Sequence, residues 1–287
     1  MKKYIKYLTT SSENINWGIY LNSAGSITVP PQTEYPIKSH PADYYFTWEQ
    51  GRTLNEYQLI YIIQGSGIFQ NNAGTFQVKE GSLIIIHPGS WHRYKPNIQT
   101  GWTENYIGFN GKSIDTFMQH QLFSVSQPVI QIGEREELAD IFLNIFELTN
   151  KELPGYQFIC AGYIIKLLGY LIAFEKQRDF KDKRIAGIIE EAKFKMRSKV
   201  GSNFDPEKFA NINNIGYSWF RRMFKNYTGL SPHQYFLQLK IMRAKGLLRT
   251  TTLSVKEISY ECGFESIHYF SRLFKQKTGL TPGEFRN

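Results

Sequence analysis

Phe220-Arg221-Arg222-Met223-Phe224-Lys225, followed by Thr228-Gly229-Leu230-Ser231-Pro232, returns fifty residues later as Phe270-Ser271-Arg272-Leu273-Phe274-Lys275, followed by Thr278-Gly279-Leu280-Thr281-Pro282. Phe, Arg, Phe, Lys, Thr, Gly, Leu and Pro recur in register without a gap, so this part of the chain holds two copies of one unit. Its punctuation is helical. Gly229 and Gly279 stand where a helix closes in a left-handed residue. Ser231-Pro232, Thr281-Pro282 and Asp205-Pro206 each place a capping oxygen before a proline at the first helical position. Ser254-Val255-Lys256-Glu257 and Thr281-Pro282-Gly283-Glu284 have the spacing of a capping box. These signals predict helices near 184–199, 206–212, 217–227, 232–248, 255–261, 267–277 and 282–286. Each copy is then a short helix, a tight turn and a second helix, the turn of the second copy containing Cys262-Gly263-Phe264. That is the grammar of a helix-turn-helix.

The faces of the second helices divide by chemistry. Ile267 or Tyr269, with Phe270, Leu273 and Phe274, form the inner face of the second copy, and His268, Ser271, Arg272 and Lys275 form its outer face. Ser218, Arg221, Arg222 and Lys225 are the outer set of the first copy. Such polar and basic side chains can read base edges in a major groove or grip phosphates. Arg222 and Arg272 hold equivalent positions, so one of them is expected to be a bidentate guanine reader. The competing reading is that they bind phosphate or only solvate the surface. A connecting helix over 232–248 is about 25 Å long, against about 34 Å for one turn of DNA. Bent DNA, or one loosely seated helix, would close that gap.

Charge follows the same division. Residues 1–175 carry 12 basic and 15 acidic side chains, net −3, whereas residues 176–287 carry 22 and 10, net +12, within a total of +9. A near-neutral part joined to a strongly basic one suits a polyanion-binding module attached to something else. With 287 residues, 41 % hydrophobic and 21 % charged, the chain falls outside disordered, collagenous and low-complexity classes and has room for two domains. Two cysteines, Cys160 and Cys262, do not make a disulfide framework, and the first residues show no secretory pattern, so a reducing, cytoplasmic setting is expected.

The other part reads as β structure from Trp17 to about Gly111. Tyr57–Ile63 is strand-like, Gln64-Gly65-Ser66-Gly67 reads as a turn, Asn71-Asn72-Ala73-Gly74 as another, Phe76-Gln77-Val78 alternates, Lys79-Glu80-Gly81 turns, and Leu83–Ile86 is fully apolar before Pro88-Gly89. Short strands at this spacing predict an antiparallel sandwich or barrel. The period then changes. Leu138, Ile141, Phe142, Ile145, Phe146 and Leu148 share one helix face, and a second helix covers about 156–176. Phe158–Phe174 is at the short limit for a bilayer span and carries Lys166, so a buried helix at a domain or dimer interface is expected. Residues 177–183 are charged and polar, the expected linker.

The basic part, Asp205 to Arg286, resembles the tandem helix-turn-helix domain of the AraC/XylS family of bacterial transcription regulators. LKIMRAKGLL (Leu239–Leu248) and ECGFESIHYFSRLFKQKTGLTPGEFR (Glu261–Arg286) carry the resemblance. Asn211-Ile212-Asn213-Asn214 departs from it, with asparagine where the family usually has an apolar residue before the turn. Glu56–Gly67, Gly81–Tyr94 and Trp102–Gly111 resemble the cupin-like arm of the same family. Metal-dependent cupins place a His-x-His on the first of these regions, and none is present; His87, His92 and a lone His40 do not make a ligand set of three or four. No catalytic residue, metal or cofactor is therefore expected, and His87 and His92 read as strand-end residues satisfied by hydrogen bonds. Trp91, Tyr94, Trp102 and Tyr106 near Arg52, His92 and Glu104 suit a sugar or similar polyol, which needs apolar faces and a few directed polar groups. The competing reading of each aromatic is core packing. In an arabinose-responsive member of the family, an arginine, a tyrosine and a polar-then-aromatic pair line the pocket. By similarity these fall on Arg52, Tyr94, Glu104 and Tyr106, with Glu104 in place of a histidine and Tyr106 in place of a tryptophan.

The expected fold class is α+β in two domains. A cupin-like β-barrel or sandwich with a helical bridge spans 1–176, a linker 177–183, and an all-α tandem helix-turn-helix domain 184–287. The resemblance implies a ligand-responsive transcription regulator, an activator of carbohydrate-use genes that binds double-stranded promoter DNA, a sugar effector and RNA polymerase and forms a homodimer away from any membrane. An AraC-type regulator without a small-molecule effector is the alternative, and a cupin enzyme with a DNA-binding tail a third reading.

Overall fold

The computed structural model describes residues 3–36, 44–178, 180 and 183–286; His40 lies outside them, as do residues 179, 181 and 182 of the expected linker. The chain divides into two compact units, Met1–Glu175 and Lys176–Asn287. This boundary falls where the charge changes sign.

The first unit contains β1 (Lys3–Tyr7), α1 (Ser12–Trp17), β2 (Tyr20–Val29), β3 (Arg52–Thr53), β4 (Tyr57–Asn71), β5 (Gly74–Lys79), β6 (Ser82–Ile86), β7 (Trp91–Pro96), β8 (Trp102–Asn110), α2 (Lys112–Met118), β9 (Val129–Gln131), α3 (Glu136–Lys151) and α4 (Tyr156–Arg178). All strand pairs are antiparallel, in the order β1-β2-β8-β4-β6-β9. Strands β5 and β7 join through the far half of β4, and β3 pairs β7. The expected turn at Gln64–Gly67 is corrected: β4 runs straight through it. Its near half pairs β6 and β8, its far half β5 and β7, with a register shift between Ile62 and Gln64. A bulge re-aims the strand there, and Gly65 supplies φ +89 where a Cβ would meet the Gly101 carbonyl. The Asn72-Ala73 hairpin tip is as expected, with Asn71 facing Gly74.

The sheet is covered on both sides. Leu59, Tyr61, Leu83, Ile85, Ile107 and Phe109 pack against Ile141, Phe142 and Ile145 of α3 and Ile164, Leu167 and Leu168 of α4. Residues of opposite parity, Ile60, Ile62, Ile84, Ile86, Trp102 and Tyr106, face Phe69, Val78 and Tyr94 of the second layer. Two covered faces explain why Leu83–Ile86 reads as an unbroken apolar run. Helix α4 is long and apolar enough to cross a membrane by length and composition. Here one side is buried on the sheet through Cys160, Ala161, Ile164 and Leu171, while Ile159 and Ile165 on the other side are exposed.

The second unit contains α5 (Lys183–Ser198), α6 (Pro206–Ile212), α7 (Tyr217–Thr228), α8 (Pro232–Thr250), α9 (Val255–Glu261), α10 (Ile267–Thr278) and α11 (Pro282–Arg286). Every element lies within two residues of its expected bounds. Ser231 and Gln234, and Ser254 and Glu257, form reciprocal capping boxes. Thr281 and Glu284 bond each other's backbone in the same way. Gly229 and Gly279 close their helices at φ +81 and +84. There are two cores. Ile189, Met196, Phe209, Phe220 and Phe224 gather around Phe236 of α8. Ile258, Cys262, Phe270 and Phe274 gather around Ile241, Ala244 and Leu248 of the same helix. Helix α8 thus belongs to both copies.

Candidate functional site

In α7, Ser218, Arg221, Arg222 and Lys225 are all exposed while Phe220 and Phe224 are buried. In α10, His268, Arg272 and Lys275 are exposed, Ser271 is half-buried at the edge of the face, and Phe270, Leu273 and Phe274 are buried. Ile267 is half-buried and Tyr269 is 40 % exposed; the Tyr269 ring lies 6.1 Å from that of core Phe264 and 5.9 Å from the Arg272 guanidinium. Trp219, at the equivalent position in α7, is 39 % exposed. Sequence reasoning missed Trp219, although the fifty-residue offset aligns it with Tyr269.

The tight turns differ in chemistry. In the second copy Gly263 takes φ +68, its carbonyl accepts from the Lys240 ammonium (2.6 Å), and that lysine lies between the rings of Phe236 and Phe264. In the first copy Asn214 holds the left-handed position at φ +54, a conformation asparagine tolerates. Asn213 stands where Cys262 is buried, and its carboxamide donates to the Phe209 carbonyl (3.0 Å). The departure at 211–214 is therefore a polar way of building the same turn, one residue shorter before the next helix.

In the first unit, strand parity brings Arg52, His92, Tyr94, Glu104 and Tyr106 to the inner face. Arg52 donates from Nε to His92 Nε2 (3.2 Å), and from one terminal nitrogen to the Tyr94 hydroxyl (2.7 Å) and Gln58 (3.4 Å). Its other terminal nitrogen donates to the Tyr44 carbonyl, and its plane lies over Phe46 and Tyr94. His92 bonds the Ser90 carbonyl through Nδ1 (2.9 Å), which leaves Nε2 as the acceptor for Arg52. Burial, with Arg52 beside it, pushes the His92 pKa down to about 3, so the ring is neutral. Glu104 is buried, and burial pushes its pKa up to about 8 against the pull of Arg52. Glu104 Oε2 and Trp102 Nε1 are buried without a hydrogen-bond partner. Tyr7, Tyr44, Arg52, Gln58, Tyr94, Glu104 and Tyr106 enclose a cavity of about 10 Å³, room for one water.

Trp91 does not join this group. Alternation turns His92 and Tyr94 inward and Trp91 and Arg93 outward. Trp91 covers Gly51 from outside and donates to the Gln50 carbonyl (2.8 Å). His87 bonds the Phe123 carbonyl (2.6 Å) and burial lowers its pKa. Among the described residues no three His, Cys, Asp or Glu side chains come together in a way that could hold a metal. Sequence reasoning missed Tyr7, Tyr44, Gln58 and Glu56. Buried Glu56 accepts from Ser23, Tyr44 and Gln58 (2.9–3.0 Å), over Gly108, where a Cβ would lie 2.0 Å from its Oε1. The available signal was parity: Gln58 shares the inner face with Ile60 and Ile62. Gly25 makes room for the Tyr106 ring, which a Cβ would approach to 2.4 Å. Gly25→Ala is therefore expected to displace Tyr106 and destabilise this unit by about 1–3 kcal/mol, read as a lower urea midpoint with unchanged m-value.

An AraC-like ligand binding domain matches this chain over residues 32–168 and a helix-turn-helix domain over 209–287. The chain is 26 % identical over 241 residues to the Msm operon regulatory protein of Streptococcus mutans, covering 82 % of this chain and 86 % of that one. It is 27 % identical over 236 residues to the MmsAB operon regulatory protein of Pseudomonas aeruginosa, covering 81 % and 75 %. It is 23 % identical over 252 residues to the HTH-type transcriptional activator RhaR of Escherichia coli, covering 80 % and 84 %. A tandem helix-turn-helix unit joined to a ligand-binding β unit defines a DNA-binding transcription regulator. The chain belongs to the AraC/XylS family.

Proposed function

We propose that α7 and α10 read promoter DNA through Ser218, Arg221, Arg222, Lys225, His268, Ser271, Arg272 and Lys275, and that the first unit senses a sugar or similar polyol. The observation that carries the sensing role is the inner polar group. Buried polar atoms are normally paired, yet Glu104 Oε2, in the cavity with Arg52, Tyr94 and Tyr106, and Trp102 Nε1, on a ring 6.0 Å from that of Tyr94, have unused capacity. A polyol offers hydroxyls that both donate and accept, and C–H faces for the rings. In a thermal-shift screen of saccharides, a binder is expected to raise the melting temperature by mass action. That rise is expected to vanish in Arg52→Ala and Tyr94→Phe; a rise that survives both would remove these residues from the site.

On DNA, Arg272→Ala is expected to weaken specific binding by about 1–3 kcal/mol, roughly five- to 150-fold. Equal affinity of variant and parent in a titration at fixed salt would refute base contact by Arg272. The working division is 1–176 for sensing and dimerisation, 177–183 as linker and 184–287 for DNA. Exposed Leu143, Ile159 and Ile165 on α3 and α4 support a homodimer seam there. Activation of carbohydrate-use genes through RNA polymerase, in the cytoplasm, completes this reading. The closed inner cavity favours a second reading, a regulator with no effector, in which the β unit is a dimerisation scaffold.

A further inference from the structure

Helix α8 runs through both cores of the second unit, with Phe236 in the first and Ile241, Ala244 and Leu248 in the second. A shared helix alone is a weak restraint, because helices curve and each copy can rock about its own stretch. Lys240 lies between those two stretches. At 5 % exposure it is the one buried lysine or arginine among the described residues. Nothing in the recognition faces of α7 and α10 accounts for a charge placed there.

The Lys240 ammonium donates to the Gly263 carbonyl at 2.6 Å and lies 5.0 Å from the Phe236 ring and 5.2 Å from the Phe264 ring. Phe236 belongs to the first core and Phe264 to the second, so one charge faces a ring of each copy. A buried ammonium that loses its partners is left uncompensated, which penalises any opening between the copies at this point. The backbones meet beside it. Gly201 lies in the connection between α5 and α6, on the side of the first copy, and Gly263 in the turn of the second. A Cβ on Gly201 would lie 2.8 Å from the Glu261 carbonyl, and one on Gly263 3.1 Å from the Gly201 carbonyl. Arg243 of α8 flanks this contact and pairs with Glu261 at 3.6 Å. The two copies therefore have a second junction, off the axis of α8, where it resists rocking.

We propose that Lys240 is a positioning residue: its tie to Gly263, beside the Gly201–Gly263 contact, locks α7 and α10 at one spacing and so restricts binding to operators whose two sub-sites have one separation. This rests on the reading of α7 and α10 as DNA-reading helices and deepens it. One base pair added between sub-sites moves the second by about 3.4 Å along the DNA axis and about 35° around it. Copies free to rock about α8 absorb such a shift. Locked copies meet it only by deforming the DNA. Lys240 touches neither base nor phosphate in this role and acts through the placement of the residues that do.

The test is selection of bound sequences from random double-stranded DNA by the full chain and by Lys240→Met, which keeps an unbranched side chain and removes the charge. The parent is expected to return two sub-sites at one separation, and Lys240→Met the same sub-sites at several. On the parent's best site, one inserted base pair is expected to cost the parent about tenfold or more in affinity and Lys240→Met about threefold or less. Gly201→Ala, which sets a methyl against the Glu261 carbonyl, serves if Lys240→Met fails to fold, with the same relaxation expected. One separation and an equal insertion penalty in variant and parent would overturn the proposal. If the parent selects no two-part site, the reading of both helices as DNA readers fails and the spacing role falls with it. The lock is then judged without DNA, from electron spin–spin distances between labels on Asn226→Cys and Gln276→Cys. These are exposed, equivalent positions of α7 and α10, and both native cysteines are buried. Lys240→Met is expected to broaden the distance distribution at least about twofold, and an unchanged width would overturn the lock as well.

Discussion

Phe270→Ala is expected to cost the second helix-turn-helix about 3–5 kcal/mol and with it specific DNA binding. Phe270 is fully buried, with Phe264 at 5.1 Å and Phe274 at 5.7 Å between ring centroids. Ile258 of α9, Cys262 of the turn after it and Leu248 of α8 share its core, so the cavity opens at the point where three helices meet. That cost is comparable with the whole stability of a small domain. The two copies keep separate cores joined through α8, so the loss is expected to be local. Amide exchange in α9 and α10 should accelerate by two orders of magnitude or more while α6 and α7 remain protected. Phe270→Leu keeps most of the volume and is expected to lose less than half as much. Native-like protection of α9 and α10 in Phe270→Ala would show that the core has another keystone. The equivalent Phe220→Ala should unfold the first copy instead.

The helix-turn-helix part was legible because its signals are local. A capping oxygen, a proline and a left-handed glycine lie within a few residues of the boundary they set, and all of those used above are observed. The first turn was less legible because Asn213 and Asn214 do by side-chain bonding and left-handed tolerance what Cys262 and Gly263 do in the second copy. In the β unit, strands were legible by period but the bend at Gly65 was not. A glycine followed by Ser-Gly reads locally as a turn, and only pairing with the distant β8 and β5 shows that the strand continues. Strand β1 escaped for the same reason: its partner in the ladder is β2, twenty or so residues away. The inner group was half legible. Arg52, His92, Tyr94, Glu104 and Tyr106 meet as expected, while Trp91 fails by one residue of parity. Tyr7 and Tyr44 come from parts of the chain that carried no local signal for the cavity.

The first unit is expected to have a stability plateau between about pH 4.5 and 6.5, because two buried groups titrate with opposite sign. Glu104 has its pKa raised from 4.5 to about 8 by burial. Between those values the folded state holds a proton that the unfolded state has lost, so stability falls as pH rises. His92 has its pKa lowered from 6.5 to about 3 by burial and by Arg52. Between those values the unfolded state holds the extra proton, so stability falls as pH drops. Each slope is about 1.4 kcal/mol per pH unit. From 4.5 to 6.5 the two cancel; below that window His92 dominates, and above it Glu104 does. Glu56, also raised by burial, adds to the Glu104 trend, and His87, lowered by burial, adds to the opposing His92 trend. Glu104→Gln removes the larger alkaline contribution while keeping a hydrogen-bonding side chain in place. It is expected to gain on the order of 2 kcal/mol relative to the parent between pH 6.5 and 8, with the acid arm intact and a rising slope where the plateau was. His92→Gln should do the reverse and flatten the acid arm. Urea unfolding followed at fixed pH steps from 4 to 9 measures both. Parallel parent and Glu104→Gln profiles above pH 6.5 would mean that Glu104 ionises in the folded state at no cost, and that its unpaired oxygen is already solvated.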